Sequence, residues 1–402
     1  MTKNRITALQ KSSFVHIKKE AQGFKIINKI TGKQFLVDQN TIEVINQFEQ
    51  PTTLEQCGFN EGIEASIHYL VDHGILVPFT HKAAALNKRQ LVSQKLFGVR
   101  EYNEKIKENN IVFLGIPFGS GNPVSADSWK FPDYLRMFLE KKINLSGTRK
   151  INPKILGSGI PMDKLNRLIA QNSMSDAGNV YVHGFETRKA IYEKITFLYD
   201  EIVSMGHLPF TLGGDHSITY PILRSVAKTH ESFNVLHFDA HTDIYSSSFD
   251  EILALNGLHH HGNFVSHCVK LPQLKKYYQF GIRGFSNAYT ENIPEKVESY
   301  WTQDVKELIR GTQDIHLPED EKYYITFDID VLDPLIAPAT GTPEPNGLQV
   351  DDIINLFKKL DLGNKNIIGV DFVEVNPSRD LNNTTTLLAT QLILNLLNFL
   401  EV

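Results

Sequence analysis

Three short segments bring aspartate and histidine together at spacings that suit metal binding. They are Gly213-Gly-Asp-His-Ser217, Asp239-Ala-His-Thr-Asp243 and Asp328-Ile-Asp330. Side chains along a strand alternate between its two faces. We therefore expect Asp239, His241 and Asp243 to share one side of a strand end. Asp328 and Asp330 should share a side in the same way.

The residue types in these segments suit a pair of divalent cations. Four carboxylates and two imidazoles, including that of His216, can bind two ions and balance their charge. Oxygen-rich ligand sets suit Mn²⁺, and neither cysteine lies in these segments. Two metals about 3.5–4 Å apart can share a water and lower its pKa, which makes hydroxide available at neutral pH.

Each segment alone has a simpler explanation. A single aspartate at a strand end often caps a turn or a helix, and His216 also suits a residue at a helix start. Asp333, which precedes Pro334, is typical of a turn and is not expected to bind metal. The metal site is favoured because six ligand-type residues at three strand ends would otherwise require several coincidences.

The elements that must position these residues alternate between strands and helices. Apolar runs predict strands that begin near Ile111, Phe210, Val235, Tyr277, Tyr324 and Ile367. Such alternation predicts a mostly parallel sheet covered by helices, with functional residues just beyond the carboxyl ends of its strands. We assign this α/β domain to residues 110–402.

The N-terminal part has a different pattern. Short strands at Phe14–Ile17, Phe24–Asn28 and Gln34–Val37, two helices and a closing strand predict a small α+β module over residues 1–80. Residues 81–109 are polar and charged and predict a helical linker.

Composition excludes several classes of protein. The net charge is -5 over 402 residues, whereas a nucleic-acid-binding protein has a basic footprint. Two cysteines cannot form a disulfide framework, and the N-terminus lacks the apolar run of a signal peptide. The apolar stretch Leu387–Leu400 is interrupted by polar residues and predicts a buried helix. We expect a cytoplasmic protein without nucleic-acid or membrane partners, assembled as a homo-oligomer.

With these motifs the sequence resembles the ureohydrolase family, which includes arginase, agmatinase and formimidoylglutamase. The resemblance covers residues 110–402 and extends to Pro338-Ala-Thr-Gly-Thr-Pro343 and Asp371-Phe-Val-Glu-Val-Asn-Pro377. It implies a three-layer αβα fold, a binuclear manganese site and release of urea from a guanidinium group. By position, it implies that His216 and Asp243 bind one metal and His241 and Asp330 the other, with Asp239 and Asp328 bridging.

The resemblance also implies residues that act on the substrate. Glu374 matches the glutamate that pairs with the guanidinium. A buried carboxylate suits this contact because it can accept two parallel N–H hydrogen bonds from the guanidinium group. His261 is the best match to a proton-shuttling histidine, with His259 and His260 as alternatives. Asp243 can accept a proton from the bridging water. Thr342 matches a position near the substrate.

Two anchors for free arginine are missing from the match. Tyr245 stands where arginase has an asparagine, and Gly284 stands where it has an acid. The module at residues 1–80 also resembles winged-helix-like domains that bind leader peptides of ribosomally made precursors. Peptides can add to a sheet edge, and the acid-rich segment 34–77 would repel phosphates. A stabilising or oligomerisation role for the module stays open.

These observations predict a manganese-dependent amidinohydrolase that releases urea and an amine. Arginine side chains in a peptide, converted to ornithine, are the first substrate hypothesis. Agmatine or another small guanidine or formimino compound is the second. A catalytically inactive binding protein on the same fold is the alternative outside enzymology, and the complete ligand set argues against it.

Overall fold

The computed structural model describes residues 8–12, 15–28, 34–58, 63–78, 88–103, 106, 109–122, 124–142, 162–182, 186–245, 259–290 and 292–401. It divides into two units. The first comprises residues 1–88 and 183–194, and the second comprises residues 89–182 and 195–402. Each unit is described by itself below.

The first unit contains two small antiparallel sheets and short helices. Strands β2, β3 and β4 form one sheet, while β1 pairs with β5. The elements are β1 Leu9–Lys11, β2 Val15–Glu20, β3 Gly23–Asn28, β4 Gln34–Val37, α1 Gln39–Asn46, α2 Leu54–Cys57, α3 Glu64–Asp72 and β5 Leu76–Pro78. Asp38 caps α1 by accepting from the Thr41 amide at 2.8 Å. The predicted strands and helices are present, and strand β1 and the short helix α2 are additional.

This unit has its own apolar core. Buried side chains from its strands and helices form one cluster, which includes Leu9, Ile26, Ile42, Ile45, Phe48, Ile67, Leu70, Ile75 and Leu76. A separate core is the requirement for an independently folding domain. The peptide-recognition role of this module stays a prediction.

The second unit is built on one ten-stranded sheet. Its order is β13-β12-β11-β14-β15-β10-β8-β9-β6, and β7 also pairs with β9. All the pairings are parallel except that of β6 with β9. The strands are β6 Arg89–Gln90, β7 Arg100–Glu101, β8 Ile111–Gly115, β9 Met174–Val180, β10 Leu208–Leu212, β11 Phe233–Phe238, β12 Leu274–Ile282, β13 Val297–Trp301, β14 Lys322–Asp328 and β15 Asn366–Val373.

Helices fill the connections between these strands. They are α4 Phe131–Lys142, α5 Met162–Ala170, α6 Arg188–Ser204, α7 Thr219–Thr229, α8 Phe264–Cys268, α9 Thr302–Arg310, α10 Val350–Lys359 and α11 Thr384–Phe399. Every residue of β8, β10 and β11 is buried, as expected for a parallel sheet covered on both faces. The arginase-like α/β prediction with a mostly parallel sheet is confirmed at this level.

The predicted helical linker is wrong for the part that the structure describes. Residues Arg89–Gln90 and Arg100–Glu101 pair with β9, and a single 3₁₀ turn at Leu96–Gly98 lies between them. Leu96 and Phe97 are buried in the core of the second unit, so packing outweighs the polar local composition. Residues 81–87 lie outside the described residues.

The apolar C-terminal stretch forms α11, which is buried as predicted. In the described ranges, no helix combines the length and apolarity needed to cross a bilayer.

Candidate metal centre

Neighbouring parallel strands carry the predicted site residues to one edge of the sheet. β11, β14, β15 and β10 lie side by side, and their carboxyl ends face the same direction. Asp239 follows β11, Asp328 ends β14 and Glu374 follows β15. The segment Gly213–Ser217, which contains His216, follows β10. The fold therefore gathers the motifs where open α/β sheets bind ligands.

The aspartates are oriented by backbone amides. Asp328 Oδ1 accepts the Asp330 amide at 2.8 Å, and Asp330 Oδ1 accepts the Ala240 amide at 3.1 Å. Asp239 Oδ1 likewise accepts the amide of His241. Asp330 Oδ2 is buried and has no hydrogen-bond partner among the described residues. One oxygen of each of these carboxylates is thus held by the backbone, and the other lies within 3.2 Å of a ring nitrogen of His216 or His241.

His216 aims Nδ1 at three of these carboxylates. The atom lies 2.9 Å from Asp239 Oδ2, 3.2 Å from Asp328 Oδ2 and 3.4 Å from Asp243 Oδ2. Its other nitrogen, Nε2, lies 2.8 Å from Thr326 Oγ1, and that hydroxyl donates to Asp371. The Thr326 oxygen must then accept from Nε2–H. This arrangement leaves the Nδ1 lone pair for a cation.

The second imidazole occupies the opposite side of Asp239. His241 Nδ1 lies 3.3 Å from Asp239 Oδ1 and 3.1 Å from Asp330 Oδ2. The structure therefore brings together all six predicted ligands: His216, Asp239, His241, Asp243, Asp328 and Asp330. Their distances group His216 with Asp243 and His241 with Asp330, with Asp239 between them.

A further buried histidine, His237, was missed by the sequence analysis. Its Nε2 lies 2.7 Å from Asp239 Oδ2, and its Nδ1 lies 3.1 Å from the Gln279 amide nitrogen. Because the amide nitrogen can only donate, Nδ1 accepts and Nε2 carries the proton. His237 therefore orients Asp239 rather than offering a free ligand atom. Its position two residues before Asp239 was the sequence signal that could have identified it.

The charge of the cluster calls for cations. Burial and the neighbouring negative charge of Asp239 raise the pKa of Asp243 well above its usual value. Burial, Asp330 and Asp239 raise the pKa of Asp328 in the same way. Several carboxylates in a buried space cannot all ionise unless positive charge is supplied. Together with the open lone pair of His216, this shows that the residues present fit a pair of divalent metals.

Glu374 lies beside this cluster and is held rigidly. Its Oε1 accepts the His216 amide at 3.0 Å, and the Asn122 side-chain amide donates to Oε2 at 3.2 Å. Burial and the charge of Asp215 raise the pKa of Glu374 to about 8. A cationic partner would favour its ionised form. Asn122 was also missed by the sequence analysis, although it follows β8 at the same sheet edge.

The Gly-Gly pair before His216 lets two loops approach closely. A Cβ atom at Gly214 would lie 1.7 Å from the Phe118 carbonyl oxygen. Glycine at this position therefore lets the loop after β10 pack against the loop after β8. A Cβ atom at Gly213 would lie 2.5 Å from Val373 Cγ1 of β15, and Gly214 O accepts the Glu374 amide at 2.9 Å.

The histidine triplet separates into three environments. His261 Nδ1 lies 3.8 Å from Glu374 Oε1. His259 stacks on Tyr220 and meets His267 edge-to-face, with ring centroids 4.3 and 4.0 Å away. His260 Nδ1 accepts the Gly262 amide at 3.2 Å. Burial, followed by the charge of His260, lowers the pKa of His261 to about 3, so its ring is neutral near pH 7.

The two predicted substrate contacts lie in neighbouring loops. Tyr245 packs over Gly262, where a Cβ atom would come within 2.4 Å of its ring. Burial raises the pKa of Tyr245. Thr342 is half-buried and lies between Gly341, which adjoins Asn122, and Glu344, which approaches His241.

Comparison with known proteins agrees with this geometry. The model of the arginase family matches residues 109–398. The chain belongs to the arginase family. The human mitochondrial guanidino acid hydrolase is 34% identical over 71% of this chain and 76% of its own length. The chicken mitochondrial agmatinase is 37% identical over 56% and 66%, respectively.

A solved structure shares the fold. Proclavaminate amidino hydrolase from Streptomyces clavuligerus is 25% identical with a TM-score of 0.60, and the match covers 78% of this chain and 98% of that one. This arginase-family chain is an enzyme, a hydrolase acting on linear amidines through a binuclear metal site.

Proposed function

We propose that the protein hydrolyses a small guanidino compound to urea and an amine, using two Mn²⁺ per chain. The observation that carries the proposal is the buried Glu374 carboxylate, fixed by the His216 amide and Asn122 beside the cluster. A planar guanidinium fork is the natural partner for a fixed carboxylate. The relatives named guanidino acid hydrolase and agmatinase support the same substrate class.

In this proposal, six residues hold the metal pair. His216 and Asp243 would hold one ion, His241 and Asp330 would hold the other, and Asp239 and Asp328 would serve both. When bound, the pair would supply a water of lowered pKa as the nucleophile. The oxygen-rich ligand set favours manganese. We expect close to two Mn²⁺ per chain by elemental analysis, and a single tightly bound zinc would contradict this assignment.

The other residues bind the substrate and move protons. Glu374 accepts the guanidinium N–H groups and presents the central carbon to the cluster. Asp243 accepts a proton from the attacking water. His261, whose Nδ1 lies 3.8 Å from Glu374 Oε1, carries a proton between solvent and the departing amine nitrogen.

Replacing Glu374 with glutamine tests the guanidinium contact. The substitution retains the shape and removes the charge. A hydrogen bond to a charged group contributes about 1.5–3 kcal/mol, so we expect kcat/KM to fall about ten- to a hundredfold or more. Steady-state urea release and elemental analysis should show this loss with unchanged metal content. Unaltered activity would assign Glu374 a purely structural role.

The hypothesis of a peptide substrate gains no support from these comparisons, whose relatives are named for small guanidines. A urea-release screen separates the candidates. It should include agmatine, guanidino acids, free arginine and arginine-containing peptides. We expect turnover of a small guanidine, and activity confined to peptides would return the peptide hypothesis. The cytoplasmic location, the homo-oligomer and the leader-peptide partner stay predictions.

A further inference from the structure

Resting on the proposed function, we propose that Glu344 binds a cationic group at the far end of the substrate. Glu344 would then be the residue that selects a guanidine carrying an ammonium tail over a guanidino acid. The argument depends on the place of this carboxylate, its unused oxygen and the charges around it.

The Glu344 carboxylate lies beside the metal cluster. Its Oε1 accepts the Ser286 amide at 3.2 Å and the Ser286 hydroxyl at 2.6 Å. The same oxygen lies 3.9 Å from His241 Nε2, which is too far for a hydrogen bond. Ser286 follows β12, the neighbour of β11 in the sheet, so the carboxylate belongs to the same sheet edge as the metal ligands.

Gly284 makes room for this carboxylate. A Cβ atom at Gly284 would lie 2.1 Å from Glu344 Cδ and Oε2, and the glycine has a φ of +85°. Both the close contact and the left-handed backbone exclude a side chain here. The space that a side chain of residue 284 would fill is therefore occupied by an acid from another loop.

One carboxylate oxygen is available to a ligand. The hydrogen bonds that the structure records for this side chain within the described residues all go to Oε1. Within the described residues Oε2 accepts no hydrogen bond, and it is not fully enclosed, because Glu344 retains 8% exposure. The side chain therefore presents a nearly buried, oriented anionic oxygen, which suits an ammonium group.

Within the described residues, the arginines recorded on the loops around Glu344 donate to backbone carbonyls. Arg379 donates to those of Thr340 and Gly341. Arg283 is the basic residue beside Glu344, and its guanidinium donates to six backbone carbonyls, those of Gly281, Asp330, Val331, Leu332, Glu344 and Pro345. The sequence has no Lys or Arg in 116–129, 239–269 or 329–357, which follow β8, β11 and β14. The tail subsite is therefore anionic.

The holoenzyme variant Glu344→Gln tests this assignment on three guanidines with the same four-carbon chain. Agmatine has an ammonium tail, 4-guanidinobutyrate a carboxylate, and butylguanidine a neutral methyl. We expect kcat/KM for agmatine to fall about ten- to a hundredfold, mainly through KM. For butylguanidine, kcat/KM of the variant should stay within about twofold of the wild-type value. For 4-guanidinobutyrate, kcat/KM should be unchanged or higher than in the wild type. Glu295→Gln, an exposed position, is the matched control.

Binding of the amine product gives a second measurement. 1,4-Diaminobutane should inhibit the wild-type holoenzyme competitively, and Glu344→Gln should weaken this inhibition about tenfold while metal content stays constant. An equal loss on all three substrates, or loss of metal, would show that Glu344 orients His241 and would overturn the proposal. A wild-type enzyme that releases urea from none of the three would instead refute the proposed function.

Discussion

Replacing Asp239 with alanine is expected to remove both metal ions and all measurable hydrolysis. Asp239 Oδ2 lies 2.9 Å from His216 Nδ1, and Asp239 Oδ1 lies 3.3 Å from His241 Nδ1. Because this carboxylate lies between both imidazoles, its removal affects both metal positions. His237 would in addition lose its 2.7 Å partner. Elemental analysis and urea release of the purified variant provide the measurement.

The exposed Asp320 supplies the control for this prediction. Asp320→Ala removes the same group from the exposed turn that precedes β14 and should retain metal and activity. If Asp239→Ala kept two ions per chain, Asp239 would not bridge, and the assignment of ligands to the two metals would have to be changed.

Replacing His261 with asparagine should lower kcat by about 10²–10⁴-fold, the usual contribution of a general acid or base. Its Nδ1 lies 3.8 Å from Glu374 Oε1, next to the proposed position of the guanidinium. It moves protons without binding metal, so the metal content should not change. Stopped or steady-state urea assays at saturating substrate measure the effect.

The triplet provides the matched control within three residues. His259 packs on Tyr220 and His267, so His259→Asn should leave kcat within a few fold. Loss of manganese in His261→Asn, or an equal loss of kcat in both variants, would contradict the shuttle assignment.

The metal ligands could be predicted from the sequence because each motif directly follows an apolar run that predicts a strand. The strand alternation expected for Asp239, His241 and Asp243 is not what brings them together, because these residues follow β11 in a loop where Asp243 has a φ of +51°. The parallel order of β10, β15, β14 and β11 then brings separate motifs together. Strands such as β8 could also be predicted, because their sequences are strong apolar runs. By contrast β9, Met-Ser-Asp-Ala-Gly-Asn-Val, has no such run and is buried by its neighbours.

The supporting residues could not be predicted because their roles depend on contacts distant in sequence. Asn122 reaches Glu374 across 252 residues, and Thr326 reaches His216 across 110. Glu344 fills the space beside Gly284 from another loop. No local pattern encodes such pairs. The strands at Arg89–Gln90 and Arg100–Glu101, which pair with the distant β9, were mistaken for a helix for the same reason.

Two acids at the centre hold a backbone geometry that L-residues disfavour. Glu374 has a φ of +62° and Asp243 a φ of +51°. Each such conformation costs about 1–3 kcal/mol. Replacement of Glu374 by glycine would remove both this cost and a buried carboxylate. Directed evolution that selects for thermostability alone would therefore favour variants that have lost catalytic activity. A thermostabilisation campaign has to select for turnover in every round.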